Sequence, residues 1–459
     1  MGLLAAVLLY TASVLAVPGS VLQRASPLTI STSSGSVTGF INKTTPDVRQ
    51  FLGIPFAEPP LGSLRFQPPV AKSAGAPITA NKLPANCIQF SGFSSGLTIA
   101  GPVSQDCLYL NVYTPANAAS GSLPVLIWIY GGAFIIGGSD VPYQVPDQWV
   151  ERTKSHIVVT FNYRLGAFGF PNARAQTLNA GLLDQRLAVE WVAKNIAAFG
   201  GNPSKLVIWG QSAGAASVGL YGYAYPQNSL LYGAIADSGG PSMLLANDPL
   251  HSTFTGLAGT VGCGNLDANG EMACMQAVNS SKLESAVLSY PGSFAPALDG
   301  KTAFNDTTAR ISSGRIAKYP MIMGSNANEG GSFGGSDPIT CPTVDEIENR
   351  QRYGLTTYQY FYAGNFTNVS QGQGATHSSE LPLVFGTYGL YGTSTTFEKQ
   401  VSEGMQDYWL AFIKNPNAPP SAAGTVWPPS NANTKSVMEF GANNRVQQLI
   451  SGSSIGPGC

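Results

Sequence analysis

Charge is scarce in this chain. Of its 459 residues only 11% are Asp, Glu, Lys or Arg, where about a quarter is usual. The formal net charge is -1 and the pI is about 6.3. No basic surface is available to neutralise phosphates, so nucleic acid and anionic membranes are excluded as partners. Histidine is rarer still, with three copies at positions 156, 251 and 377. Beyond residue 17 no apolar run is long enough to read as a membrane span. The six cysteines, at 87, 107, 263, 274, 341 and 459, do not show the spacing of a zinc site, and no metal or cofactor is expected.

Apolar residues make up 44% of the chain and the mean hydropathy is +0.06, values of a soluble globular protein. This length suits a large α/β core, undivided or split in two. Gly2 to Val17 is apolar without a charged side chain and ends in small residues before Pro18. Val14-Leu15-Ala16 resembles a cleavage context, so residues 1–17 read as a secretory signal peptide rather than an anchor. Residues 18–459 contain no repeat and no linker and read as a single domain. An even set of cysteines in a secreted chain implies disulfides. Cys87 with Cys107 and Cys263 with Cys274 would close two short loops, leaving Cys341 with Cys459; this is one proposal among the many connectivities that six cysteines allow. The sequons at Asn42, Asn279, Asn305, Asn365 and Asn368 are candidate glycosylation sites.

Nearly continuous apolar runs from Leu123 to Tyr130, from His156 to Tyr163 and from Val207 to Trp209 predict strands covered on both faces. Gly233 to Ala236 and Pro320 to Gly324 read as two further central strands, and Leu108 to Tyr113 alternates as a strand. Gly35 to Phe40 and Val48 to Pro55 read as short edge strands. Between the central strands, Leu187, Trp191, Val192 and Ile196 recur at helical spacing. This alternation predicts a mostly parallel sheet with helices on both faces. The C-terminal third reads as one amphipathic helix, about Phe397 to Ile413, followed by polar loop.

Chemistry concentrates where Val207-Ile208-Trp209 runs into Gly210-Gln211-Ser212-Ala213-Gly214. A buried strand meeting Gly-x-Ser-x-Gly is the layout of a nucleophile elbow, a tight strand-to-helix turn that lifts a serine hydroxyl above the sheet edge. A serine needs a base, and the base needs an acid to orient it. His156 opens an apolar strand and precedes the serine; His251 lies at a surface helix start. His377, in a loop leading into an apolar stretch and late enough to leave room for an acid, is the candidate base. Glu329, in the turn directly after Met321-Ile322-Met323, is the best acid. Asp299, in an Asp-Gly pair that suits a plain turn, and Asp237 are its competitors. Gly131-Gly132-Ala133, straight after a central strand, supplies a glycine turn suited to an oxyanion hole.

These blocks together resemble the type-B carboxylesterase/lipase family, α/β-hydrolases that include cholinesterases and secreted fungal lipases. Gln50 to Ala57 with Pro59 to Phe66 is similar to the family's N-terminal signature. Ser104 to Val112 is similar to the signature around its first disulfide, with Gln105 where Glu is usual. Asn162 to Phe170 and Gly181 to Gln185 match further blocks. The resemblance implies an α/β-hydrolase fold with Ser212 as nucleophile, Glu329 as acid and His377 as base. It places Gly132, Ala133 and Ala213 in the oxyanion hole through their backbone N–H groups. Gln211 stands where Glu usually precedes the serine, which puts a charge network behind the triad in question. The stretch from Glu329 to His377 is short for the family, so a more open site is expected. The Cys87–Cys107 loop, a lid in the lipases, is also short, and its Ile88, Phe90, Phe93, Leu97 and Ile99 suit a lid or a core-facing loop equally. The expected function is a secreted serine esterase for small-molecule or lipid esters with apolar acyl or aromatic parts. The alternatives are a lipase, a hydrolase of a specialised ester or lactone, and a catalytically silent binding protein on the same fold.

Overall fold

Runs of β-branched and aromatic residues without polar interruption build the middle of an eleven-stranded sheet. In the computed structural model, which describes residues 27–89, 98–176, 179–455 and 459, its strands in chain order are β1 (Phe40–Asn42), β2 (Thr45–Pro55), β3 (Tyr109–Pro115), β4 (Leu123–Ile129), β5 (Ile157–Phe161) and β6 (Gly201–Gln211), then β7 (Gly233–Asp237), β8 (Met321–Asn326), β9 (Thr357–Tyr362), β10 (Ser436–Phe440) and β11 (Gln447–Ser451). In space they run β11-β10-β9-β8-β7-β6-β4-β5-β3-β2-β1. From β5 across to β10 every pairing is parallel, and the two ends are closed by antiparallel strands. This is the mostly parallel sheet that the alternation of strands and helices predicted, and it agrees with the α/β-hydrolase fold that the resemblance implied.

Helices α1 (Ala180–Asn195) and α2 (Ala213–Ala224) make the crossovers into and out of β6. A later helix, α3 (Thr340–Arg352), joins β8 to β9, and α4 (Thr396–Lys414) lies between β9 and β10. The start of α4 is fixed by a capping box, with the Thr395 hydroxyl on the Glu398 N–H and the Glu398 carboxylate returning to Thr395, which satisfies two orphan donors at once. Fully buried Trp128 of β4, Trp209 of β6 and Phe385 pack together with ring centroids 4.3 to 5.1 Å apart, Trp209 and Phe385 stacked and Trp128 edge-on to Phe385. Each such ring withdraws apolar surface worth about 1.5–3 kcal/mol. The buried pair Arg164–Asp184 ties the segment after β5 to α1, with two side-chain bonds of 2.6 and 2.8 Å.

Two strand readings change. Val48 to Pro55 is not an edge: it belongs to β2, which β1 covers on its outer side. The C-terminal polar loop is in part a hairpin, β10 and β11, that extends the sheet beyond β9. Its polarity reflects an outermost strand whose Gln447, Gln448, Leu449, Ile450 and Ser451 are each half-buried or exposed, so no apolar alternation marks it. Cys87 is joined to Cys107, Cys263 to Cys274 and Cys341 to Cys459. The proposed signal segment, and Phe90, Phe93 and Leu97 of the first disulfide loop, lie outside the described residues; Ile88 is buried and Ile99 packs against the core. Among the described residues no helix is long and apolar enough to cross a membrane.

Candidate active site

From β4 the chain crosses to β5 on one side and then back to β6 on the other, so β4 and β6 lie side by side. Such a switch in strand order opens a crevice at the carboxyl ends of the strands. Gly131-Gly132-Ala133 leaves the end of β4 and Ser212 the end of its neighbour β6, in register through Gly210 and Ile129.

The elbow is strained and tightly packed. Ser212 has φ 57° and ψ -122°, a conformation that costs an L-residue free energy and persists only where the surroundings over-determine it. A Cβ on Gly210 would sit 2.3 Å from the Gly214 carbonyl oxygen, and one on Gly214 would sit 2.0 Å from that of Ile129. Glycine is therefore required at both positions for the turn to close. The Ser212 N–H donates to the Asp237 carbonyl at 2.9 Å, holding the turn against the end of β7. The Gly132 and Ala133 N–H groups and that of Ala213, the first residue of α2, have no partner among the described residues. Free donors at a helix start are what a developing oxyanion requires.

Glu329 follows the end of β8 by three residues and is fully buried on its side chain. Its Oε1 accepts the Asn326 N–H at 2.8 Å, and its Oε2 lies 2.6 Å from His377 Nδ1. His377 comes from the loop after β9. That loop is laced to the Glu329 turn by Asn328 N–H to Ala375 O and by the Asn326 amide to Thr376 O, at 2.9 and 2.8 Å. Burial pulls the His377 pKa down, but the charge and hydrogen bond of Glu329, with Glu380 and Asp337 beyond, carry it above the ordinary histidine value. Its Nε2 meets the side-chain amide of Gln211 at 3.1 Å, while the Ser212 hydroxyl makes no hydrogen bond among the described residues. The structure thus joins the expected acid and base directly and sets Gln211, not Ser212, on the free nitrogen. Catalytic hydrogen bonds are often loose until substrate is present.

The competing residues are engaged elsewhere. His156 is fully buried against Trp149, and burial drives its pKa down to about 3. His251 Nδ1 faces Asn172 at the start of a surface helix. Asp299 spends its oxygens on the N–H groups of Lys301, Thr302 and Ala303 and on the Thr302 hydroxyl. Asp237 is buried at the end of β7, accepts from Trp209 Nε1 at 2.6 Å, and is held well above the carboxylate range by burial and by Glu380.

Three residues near the site gave little warning. Phe333, 40% exposed, places its ring 5.1 Å from that of His377. Asn326 bonds Glu329 with its backbone and Thr376 with its side chain. Glu380 is buried beside that same Asn326 amide. Only Asn326 carried a signal, its place in the turn that ends β8.

The family model described as "Carboxylesterase family" matches residues 26–338 and 335–455. The chain is 43% identical over 480 aligned positions to a chlorogenic acid esterase of Aspergillus niger, covering 94% of each chain. It is 38% identical over 503 positions to "Secreted lipase 5" of Gibberella zeae, again covering 94% of each. Similarity at 38% identity reaches the acetylcholinesterase of Electrophorus electricus over 68% of this chain and 53% of that one.

Proposed function

The chain belongs to the carboxylesterase family and hydrolyses carboxylic esters, and from that premise we propose that it works through a Ser212–His377–Glu329 triad and a covalent acyl-enzyme. Ser212 Oγ attacks the ester carbonyl while His377 Nε2 takes its proton. Glu329 holds the Nδ1–H and stabilises the imidazolium. The N–H groups of Gly132, Ala133 and Ala213 receive the oxyanion. The alcohol leaves with the proton from His377, and water then releases the acid along the same path. The observation that carries this reading is the 2.6 Å contact between Glu329 and His377 at the mouth of the elbow.

The substrate class we propose is an ester with an aromatic or apolar acyl part, reached through an open mouth. The exposed Phe333 ring beside His377 supports it, since an aromatic face is a stacking partner for a planar acid. Chlorogenic acid, named for the Aspergillus niger relative, is an ester of that kind. Action outside the cell is supported by the disulfides and by a relative named as secreted, disulfides being features of oxidising compartments.

The test is hydrolysis of chlorogenic acid and of p-nitrophenyl acetate, butyrate, octanoate and palmitate by wild type and Ser212→Ala. Turnover of the short and aromatic esters, abolished by the substitution, is expected. A preference for palmitate that rises once droplets form would instead favour a lipase. Undiminished turnover by Ser212→Ala would overturn the triad.

A further inference from the structure

Gln211 has no part in the steps above, yet it occupies the nitrogen those steps need. The Glu329 carboxylate accepts at His377 Nδ1, so Nδ1 carries a proton, and the amide nitrogen of Gln211, which can only donate, calls for the lone pair on Nε2. The 3.1 Å contact from Gln211 Nε2 is therefore an amide donating to that lone pair. Gln211 is 1% exposed, so little water competes with it. The titratable groups that face His377 are all acidic: Glu329 from the turn after β8, Asp337 from the segment before α3, and Glu380 three residues along its own loop. Carboxylates favour imidazolium, whereas the bond from Gln211 exists only while the ring is neutral.

We propose that Gln211 is a positioning residue for the base: it holds His377 Nε2 unprotonated in the resting enzyme, yields it to the Ser212 hydroxyl when ester enters, and so sets the low-pH edge of activity. This rests on the reading of Ser212 and His377 as nucleophile and base. A glutamate at position 211 would reverse the effect, because a carboxylate 3.1 Å from Nε2 needs a proton on that nitrogen.

The experiment follows the His377 ring itself. With three histidines in the chain, 13Cε1-histidine labelling gives a small set of NMR signals, and His377→Asn assigns the one that matters. His156, with its pKa driven down to about 3, stays constant over the titration. Gln211→Glu is expected to raise the His377 midpoint by about one pH unit or more. It should move the acid limb of kcat/KM equally, about a tenfold loss one unit below the original edge, while the limb of kcat, which reports the ester-bound enzyme after Gln211 has yielded Nε2, moves less. Gln211→Met, which only removes the donor, is expected to raise the midpoint by about half as much. An unchanged midpoint in folded Gln211→Glu overturns the proposal, and should that variant not fold, an unchanged or lowered midpoint in Gln211→Met does so. Midpoints that move as expected in the variants, while the acid limb of ester hydrolysis stays where it is in wild type, would overturn the triad reading instead.

Discussion

Glu380→Gln should make the protein relatively more stable as the pH rises. Glu380 is fully buried, its Oε2 receives the Asn326 amide, and its Oε1 has no hydrogen-bond partner among the described residues. Burial first, and the charge of Glu329 second, push its carboxyl from 4.5 up to about 7. A carboxyl whose pKa is raised by folding contributes stability that is fully present below its unfolded value, and this is lost as the pH rises through the folded value. A rise from 4.5 to about 7 corresponds to on the order of 3 kcal/mol. Wild type should lose that contribution between about pH 5 and pH 8, whereas glutamine has nothing to ionise. Whatever the substitution costs at pH 5, the difference between variant and wild type should then move in the variant's favour by on the order of 3 kcal/mol at pH 8. Glu346, also held at about 7 by burial, weakens both proteins alike and cancels in the comparison. Urea unfolding followed by tryptophan fluorescence at each pH, with disulfides intact, measures the difference. Parallel pH profiles would mean that Glu380 ionises in the fold as it does in water, and the argument from its burial would fail.

Other perturbations separate the site from its support. Glu329→Gln keeps the shape but cannot hold the His377 imidazolium, so kcat should fall by roughly 10³–10⁴ with KM little changed; steady-state kinetics on a soluble ester decide it, and a loss confined to KM would argue against the assigned acid. Asp184→Ala leaves the 3%-exposed Arg164 unpaired and should cost about 3–5 kcal/mol in urea unfolding, with a loss below about 1 kcal/mol contradicting the buried-pair argument. Of the two adjacent sequons, Asn365 is exposed, whereas the Asn368 amide donates to Glu398 Oε1 at 2.9 Å and faces Tyr388 O at 3.3 Å. Enzymatic deglycosylation in H₂¹⁸O with peptide mapping should label Asn365 and leave Asn368 unlabelled.

The centre of the fold was legible because parallel strands covered on both faces leave a plain trace. Leu123–Ile129 and Ile157–Phe161 have no room for polar side chains facing outward, and their sequences show it. The margins were not legible. Whether Val48 to Pro55 lies inside the sheet depends on Phe40–Asn42 folding back over it, and the hairpin after Ser436 depends on docking beside β9. The first is a tight hairpin, Asn42 pairing with Thr45 across Lys43 and Thr44, whose turn lacks the Asn-Gly or Asp-Gly signature; the second is a long-range pairing with no local signature of its own. Helix α4 stands between these cases, because a capping box and an apolar stripe are properties of the segment itself.

The same division runs through the site. Ser212, the Gly132 turn and Glu329 each sit within a few residues of a strand end, and a strand end can be found in sequence. His377 followed by elimination among three histidines, a route that the scarcity of one residue type opened. Which group occupies Nε2 of that histidine could not follow in this way, because the Gln211–His377 bond joins positions 166 apart and turns on one rotamer. Nor could the acids behind Glu329 and His377. Glu380 reads locally as an ordinary charged loop residue and Asp237 as a strand-end turn, yet both are fully buried, and the charge of Glu380 helps hold the Asp237 carboxyl high. Carboxyls so placed, with Glu380 Oε1 and Asn326 Oδ1 buried and unpartnered among the described residues, work against stability. The charge of Glu329 raises both carboxyls further, and acids gathered in this way from separate elements lie beyond rules that read packing from sequence.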